Sequence, residues 1–401
     1  TQAAPIARSA DHATVQNSTT RCPIFGFTRV QAIQYGLSQR GFSERSSKYI
    51  SQKHKQSTWI LYEGHWQRFL RWCKLQGVQN PFKVSVCTLS DFLMDLIDGN
   101  KVLPATLDGI KSCICTTLHV ATGVDFTKHP ELSSILSKYH LECPRERFEV
   151  PDWNLVLVLN ALLTSPFEPL KSVSIKYLTY KTVFLVSMAM AARISEVHSI
   201  DFRKLLHDPQ WHHVWLEPNS LFLAKTQKNK KPGSARQFKL TNLSHFVGSK
   251  ERDALLCPVR ALRIYLKRTA HLRKGKKCLF LSLQPNRKNE ITRQSINIWI
   301  RNTIRLAYHL SGNDSTNLGR ATNHEIRAIT SSLSFERSLS MENVMRSCHW
   351  KGHNTFTSYY LKDVTVLSTE LMRLSPMVVA STVINQVYTS FLHLHQLMGS
   401  T

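Results

Sequence analysis

The sequence predicts a mainly α protein with a small antiparallel β-sheet, arranged as a small all-helical unit followed by a larger mixed α+β unit. Three observations predict it. Apolar residues recur at three- and four-residue spacing in successive stretches of the 401-residue chain, as in helices with one buried face. Two short apolar runs, Val214 to Leu216 and Leu221 to Ala224, flank a Glu217-Pro-Asn-Ser220 turn and read as strands. The segment Cys143-Pro-Arg-Glu-Arg-Phe-Glu-Val-Pro151 holds two prolines and alternating charges, the composition of an interdomain linker.

Residues 1–27 are rich in Ser, Thr and Ala without periodicity and form a flexible lead-in. The helical unit spans 28–143. Its first clear stripe is Trp59, Tyr62, Trp66, Phe69, Leu70 and Cys73, ended by Gly77; Ser90 is a plausible N-cap for the next helix, whose inward face is Phe92, Leu93, Leu96 and Ile97. Pro104 opens a third helix carrying Leu107, Ile110, Ile114 and Leu118. After a linker at 144–152, the second unit covers 153–375, with helical spacing at 153–164, 173–191, 259–270, 292–308, 324–336 and 341–346. The tail 376–401 contains an apolar run, Met377 to Val387, suited to a helix that docks on a neighbouring protomer or folds back on its own unit.

Composition narrows the function. A hydrophobic fraction of 42% supports real cores, but 52 Lys and Arg face 27 acidic residues, a net charge of +25. That excess repels itself in a compact chain unless a polyanion neutralises it, and nucleic acid is the leading candidate. A basic, merely solvated surface is the alternative. Nine cysteines without CxxC spacing argue against a disulfide framework or a zinc ribbon and for a reducing compartment. Cys73, Cys113 and Cys257 fall in apolar helical patterns, where a small buried thiol is expected. No run of 18 apolar residues and no signal-peptide core is present, so a soluble, intracellular protein with no membrane partner is expected; Thr1 in place of Met suggests a segment of a longer product.

Four motifs carry chemistry. In Met188-Ala-Met-Ala-Ala-Arg-Ile-Ser-Glu196, Arg193 ends an apolar helix and Glu196 follows three residues on, a cation and an anion on one face. Alone it would be a surface ion pair. Leu221-Phe-Leu-Ala-Lys-Thr-Gln-Lys-Asn-Lys-Lys231 runs into a turn. From Lys225 to Lys239 it has six basic residues and no acidic one, which makes it either a solvated tip or a turn laid on a phosphate backbone. His324-Glu-Ile-Arg327 puts an imidazole and a guanidinium on one helix face, both able to address one phosphate. Finally, Cys348-His-Trp-Lys-Gly-His-Asn-Thr-Phe-Thr-Ser-Tyr-Tyr360 ends in two tyrosines about ten residues after Trp350. His349 and His353 lack a further ligand pair at metal spacing, so no metal is expected there.

In this order, Arg193, Lys225, His324-x-x-Arg327, Trp350 and a tyrosine, the motifs resemble the active site of the tyrosine recombinases, over about residues 30–375. Leu256-Cys-Pro-Val-Arg260, Leu279-Phe-Leu-Ser282 and Ser358-Tyr-Tyr-Leu-Lys-Asp363 look most like the recombinases of DIRS-like retrotransposons and related eukaryotic elements. The resemblance implies a helical core-binding domain and a mixed α+β catalytic domain that clamp duplex DNA. It also implies a homotetramer on paired DNA sites, a nuclear location, and a 3′-phosphotyrosine intermediate formed without any cofactor. Arg193 and Arg327 would hold the phosphate, Lys225 would protonate the leaving 5′ oxygen, and His324 would orient or deprotonate the nucleophile. Trp350 would donate through its indole N–H, and Glu196 would hold the cations in place. Counting from Trp350 favours Tyr359 as the nucleophile, whereas the Tyr-Leu-Lys-Asp context favours Tyr360, which is preferred here. Lys228, Lys230, Lys231 and Arg236 in the turn, and Arg273, Lys274, Lys276 and Lys277 after the 259–270 helix, are the expected DNA contacts. Between Arg260 and Lys277 there are eight basic residues and no acidic one, and the apolar face leaves them toward solvent or phosphate. A catalytically inactive DNA-binding descendant and a type IB topoisomerase-like strand transferase are the competing functions.

Overall fold

The computed structural model describes residues 23–53, 56–99, 102–144, 151, 153–224, 237–243, 251–284, 290–314, 318, 321–336, 340–350 and 352–362. The chain divides into two compact units, Thr1–Arg147 and Phe148–Thr401. The Met377–Val387 run and all but Cys143, Pro144 and Pro151 of the expected linker segment lie outside the described residues. No helix among the described residues is long and apolar enough to cross a membrane.

Among the described residues, the regular structure of the first unit is helical: α1 (Arg29–Gln39), α2 (Glu44–Ser51), α3 (Gln56–Leu75), α4 (Val86–Asp98), α5 (Pro104–Thr122) and α6 (Pro130–Glu142). Pro104 occupies the first turn of α5 as expected, where its missing N–H costs nothing. The start of α4 differs from expectation. Ser85, not Ser90, caps it, accepting from the Thr88 N–H at 3.2 Å, while Ser90 sits within the helix and donates to the Val86 carbonyl at 2.9 Å. The predicted stripes pack together as Trp66, Phe69, Leu70 and Cys73 of α3 against Phe92, Leu107, Ile110 and Leu118. Trp59, at the outer end of α3, stays 38% exposed. One cation is built into this core: Arg29 is buried, its Nε donating to Thr117 Oγ1 at 2.7 Å and its guanidinium lying over the Tyr62 ring.

The second unit strings α7 (Leu155–Ala161), α8 (Ile175–Met190) and α9 (Ile194–Ser199) ahead of the strands β1 (Leu206–His207), β2 (His213–Leu216) and β3 (Phe238–Thr241). It continues with α10 (Glu251–Leu255), α11 (Pro258–Arg268), α12 (Arg293–Leu310), α13 (Asn323–Glu336), α14 (Met341–Ser347) and α15 (His353–Tyr359). α8 is the axis of the core: every residue from Leu178 to Met190 is buried. A helix apolar on all sides must be covered on all sides, and α11, α12 and α13 all pack against it.

The sheet is antiparallel in the order β1-β2-β3, with Val214 opposite Leu240 and Leu216 opposite Phe238. The run Leu221–Ala224 is not a strand, contrary to the sequence reading. Asn219 turns the chain there, its side chain accepting from the Leu221 N–H at 3.0 Å, and Leu221 is 87% exposed. β2 instead pairs with β1 on one edge and β3 on the other, which buries Val214, Leu216 and Leu240 completely.

A buried ionic cluster ties α8 to α11. Lys181 has no exposed side-chain surface; its Nζ donates to Glu168 Oε1 and to the Leu162 carbonyl, both at 2.6 Å. Arg260 forks onto the same carboxylate at 2.7 and 3.0 Å. Burial pulls the Lys181 ammonium down to about 8, against the opposing pull of Glu168. Burial works in the opposite sense on Glu168, yet its bonds to Arg260 and Lys181 hold its carboxyl below the usual range.

The basic stretch after α11 also departs from expectation. Arg273 is buried: its guanidinium lies 4.6 Å from the Phe202 ring and 5.2 Å from Tyr265, and donates to the Leu279 carbonyl at 3.0 Å. With Arg260 on Glu168 and Arg268 on the Leu170 carbonyl at 2.9 Å, three of the eight cations serve the fold rather than the surface. Apolar periodicity cannot show this, because a guanidinium with enough acceptors is tolerated in a core. Lys274 and Lys277 are exposed and Lys276 is half-buried.

Two stability outcomes are expected. A Cβ at Gly36 of α1 would lie 2.6 Å from Ala121 Cβ and 2.7 Å from the Ala121 carbonyl oxygen on α5. Gly36→Ala should therefore lower the denaturant midpoint, corresponding to about 1–3 kcal/mol, despite Ala's better helix propensity. Glu168→Gln, which strands the buried Lys181 and removes the partner of the half-buried Arg260, should cost roughly 3–5 kcal/mol, read as a drop in Tm by calorimetry. Unchanged melting would show that the cluster is not needed for stability.

Candidate active site

Arg193 is placed by a turn that the sequence reading did not foresee. It does not end α8. That helix stops at Met190, and buried Ala191 takes a left-handed conformation, φ 44° and ψ 34°, that swings the chain into α9. Arg193 is then the N-cap of α9. Glu196, three residues on, folds its carboxylate back to accept from the Arg193 backbone N–H at 2.7 Å, satisfying a donor that a helix start leaves open. The same carboxylate lies 3.4 Å from Arg193 Nη1 and 3.5 Å from Arg327 Nη1. Glu196 is thus a buried bridge between the two arginines.

Arg327 comes from α13, one turn beyond His324. It is 1% exposed, and its Nη2 donates to the Cys348 carbonyl. Burial draws its guanidinium below the ordinary arginine range, with Cys348, Glu196 and Tyr360 opposing and Arg193 adding to the effect. Asn323, the first residue of α13, donates through Nδ2 to the Ala192 carbonyl at 2.8 Å. That bond ties the start of α13 to the residue just before Arg193, so the two arginine-bearing turns share one anchor. Sequence reasoning missed Asn323; the only signal was an Asn beside the His-x-x-Arg motif.

Trp350 is turned inward by the end of α14. His349 adopts φ 56°, its N–H donates to the Arg346 carbonyl, and the Trp350 N–H reaches back to Met345 at 2.9 Å. This is a left-handed helix stop with a histidine where glycine is usual. Trp350 packs at 5.1 Å, centroid to centroid, on Phe356 of α15, and Phe356 is fully buried. Tyr360 follows Phe356 by four residues, on the same helical face, and its N–H donates to the Phe356 carbonyl at 2.8 Å.

These elements meet at Tyr360. The Arg327 guanidinium carbon lies 5.3 Å from its ring and 4.7 Å from that of Trp350. The Trp350 and Tyr360 centroids are 4.7 Å apart, and the His324 imidazole stacks on Tyr360 at 4.5 Å with an interplanar angle of 25°. Tyr360 is 8% exposed whereas Tyr359 is 54% exposed and lies outside the cluster. Arg327 Nε and Trp350 Nε1 are buried with no hydrogen-bond acceptor among the described residues. Cys348 is also buried here, and burial raises its thiol to about 11, which keeps it protonated at neutral pH. Arg193, Glu196, His324, Arg327, Trp350 and Tyr360 therefore belong to one site. Lys225, Lys228, Lys230, Lys231 and Arg236 lie outside the described residues. A phenol beside a guanidinium and an indole ring, with a second guanidinium joined to the first through Glu196, has the makeup of a site for an anion.

The chain matches no protein-family model and no curated protein sequence. Its fold does match solved structures. The integrase of the Tn1549 transposon, solved with a circular intermediate DNA, superposes with a TM-score of 0.52 at 12% identity, covering 86% of this chain and 98% of that one. The XerH site-specific recombinase bound to its difH substrate gives 0.49 at 10% identity, covering 84% and 94%. A lambda integrase dimer on a COC′ core site gives 0.48 at 15% identity, covering 84% and 77%. At such identities the likeness is one of architecture: the mainly helical chain, with its small antiparallel sheet, has the fold of the tyrosine recombinases.

Proposed function

We propose that this chain is a tyrosine recombinase of a mobile element, acting on duplex DNA. The observation that carries this reading is the packing of Tyr360 against His324, Arg327 and Trp350, in a fold shared with an integrase solved on DNA. In the proposed reaction the Tyr360 phenolic oxygen attacks the scissile phosphorus. The P–O bond to the 5′ oxygen breaks, and a 3′-phosphotyrosine forms. Arg193 and Arg327 neutralise the charge that gathers on the non-bridging oxygens, a role for which a planar fork that keeps its proton is suited. Glu196 holds both arginines so that they converge on one point. Trp350 supplies its indole N–H to the same oxygens. The face-to-face stack of His324 on Tyr360 orients the phenol ring; taking its proton requires the imidazole edge to reach the hydroxyl once DNA is bound. Lys225 is assigned the proton for the leaving 5′ oxygen by its place in the motif order.

Residues 28–143 are assigned the role of a core-binding domain, 144–152 that of a linker and 153–375 that of the catalytic domain, together clamping the duplex. The net charge of +25 supports a polyanionic substrate. Four protomers on paired sites, a nuclear location and kinship with DIRS-like elements complete the proposal. Support for that kinship comes from the Leu256-Cys-Pro-Val-Arg260 and Tyr360-Leu-Lys-Asp363 stretches.

Two measurements test this reading. With nicked duplexes drawn from the DNA that flanks the coding locus, wild type and Tyr359→Phe should form an SDS-resistant protein–DNA adduct, and Tyr360→Phe should not. An adduct from Tyr360→Phe would overturn the assignment, and none from wild type would overturn the enzyme. DNA affinity should fall steeply with salt, and replacing Lys274, Lys276 and Lys277 by Ala should flatten the log–log slope by roughly one for each phosphate no longer neutralised. An unchanged slope would remove those lysines from the DNA-binding surface.

A further inference from the structure

Resting on the proposed role of Tyr360, we infer that Glu325, Ser332 and Lys362 form a latch. It sets the backbone register after α15, so that residue 360 rather than 359 is turned against Arg327. These are positioning residues. The observation begins on α13, the helix that carries His324 and Arg327. Glu325, Ala328 and Ser332 follow one another at intervals of three and four, which places them on a single stripe of that helix. Ala328 is fully buried in the cluster that contains Trp350, Phe356 and Tyr360. The two polar members grip the segment on either side of it.

Ser332 is 1% exposed and works in both directions. Its Oγ donates to the Tyr360 carbonyl at 3.1 Å and accepts from the Lys362 N–H at 2.8 Å. α15 needs such help. The Tyr360 and Leu361 N–H groups both converge on the Phe356 carbonyl at 2.8 Å, so the helix has already ended, and the groups beyond it require partners from elsewhere. Lys362 completes the grip: its Nζ lies 3.3 Å from Glu325 Oε1, with the two side chains 8% and 6% exposed.

A buried ion pair is selective in a way that an apolar contact is not. Sliding the segment by one residue to bring Tyr359 inward would carry Lys362 away from Glu325. Leu361 would then stand nearest to a buried carboxylate, leaving it uncompensated. The lysine two places after Tyr360 therefore acts as a register mark. Because Glu325 and Ser332 sit on α13 with His324 and Arg327, the latch ties the segment that bears the tyrosine directly to the helix that carries those two residues.

The test uses the full chain and two readouts. The first needs no DNA: nitration by tetranitromethane, mapped by mass spectrometry. Wild type should be nitrated at Tyr359 and protected at Tyr360. Lys362→Met and Ser332→Ala should expose Tyr360 to the reagent while the chain retains its helical circular dichroism. The exchanged pair, Glu325→Lys with Lys362→Glu, should restore protection. The second readout is adduct formation on nicked duplex: the single variants should lose rate on the order of 10- to 100-fold at unchanged DNA affinity, and the exchanged pair should recover it. Protection of Tyr360 that persists in every folded single variant overturns the latch. Should Lys362→Met fail to fold, the exchanged pair decides: folded with Tyr360 protected supports the latch, and unfolded overturns it. If wild type forms no adduct while the nitration pattern follows the latch, the recombinase reading fails and the latch stands.

Discussion

Two guanidiniums directed at one point repel each other, and the repulsion grows as water is removed. In this protein the difficulty is met by a single carboxylate. Glu196, itself buried, accepts the backbone N–H of Arg193 and lies within 3.5 Å of both Arg193 Nη1 and Arg327 Nη1. The first bond is local, closing the start of α9. The last is long-range, since Arg327 lies 131 positions further along the chain. Without that anion, Arg327 would be a buried charge with, among the described residues, only the Cys348 carbonyl to receive it, and Arg193 would lose what fixes its turn. The rest of the site, Trp350 under the guanidinium and Tyr360 beside it, is assembled on the cation that Glu196 makes tolerable.

α13 is the element on which the other parts are mounted. Its first residue, Asn323, reaches the turn that bears Arg193, and its inner face brings Arg327 to Glu196. A second stripe receives Tyr360 and Lys362. The helix is short enough to be rigid and is packed on α8, the most buried element of the unit. A site whose members converge on one helix is set by that helix's geometry, which limits how far they can drift apart.

The positive charge divides into two kinds. Arg29, Lys181, Arg260, Arg268 and Arg273 spend their charge on carbonyls, carboxylates and ring faces inside the fold. Lys274 and Lys277 stand outside, available to a polyanion. Net charge alone therefore overstates the surface field. A basic run on a helix with one apolar face is not automatically a solvated face, because guanidiniums carry long apolar stems and several donors and can be absorbed by a core that offers acceptors.

The order of amino acids was enough to establish the mainly helical character, the stripes of α3, α4 and α5 and the helical spans of α8 and α12. It also named Arg193, Glu196, His324, Arg327, Trp350 and Tyr360 as candidates, which the fold then brings together. Periodicity reports which side of a helix is buried, and the order of Arg193, His324, Arg327, Trp350 and the tyrosines is readable as text. It did not establish how those residues are held. The left-handed Ala191, the capping role of Glu196, the true cap of α4 at Ser85 and the pairing of β2 with β1 and β3 depend on which groups become neighbours across tens of residues. Local spacing carries no record of that. The choice between adjacent tyrosines shows the difference best. As text they differ by one position after Trp350. In the fold Tyr360 follows Phe356 by one turn and is gripped through Ser332, while Tyr359 is half exposed. Packing settled which of the two is enclosed, because only in three dimensions do α13 and the end of α15 meet.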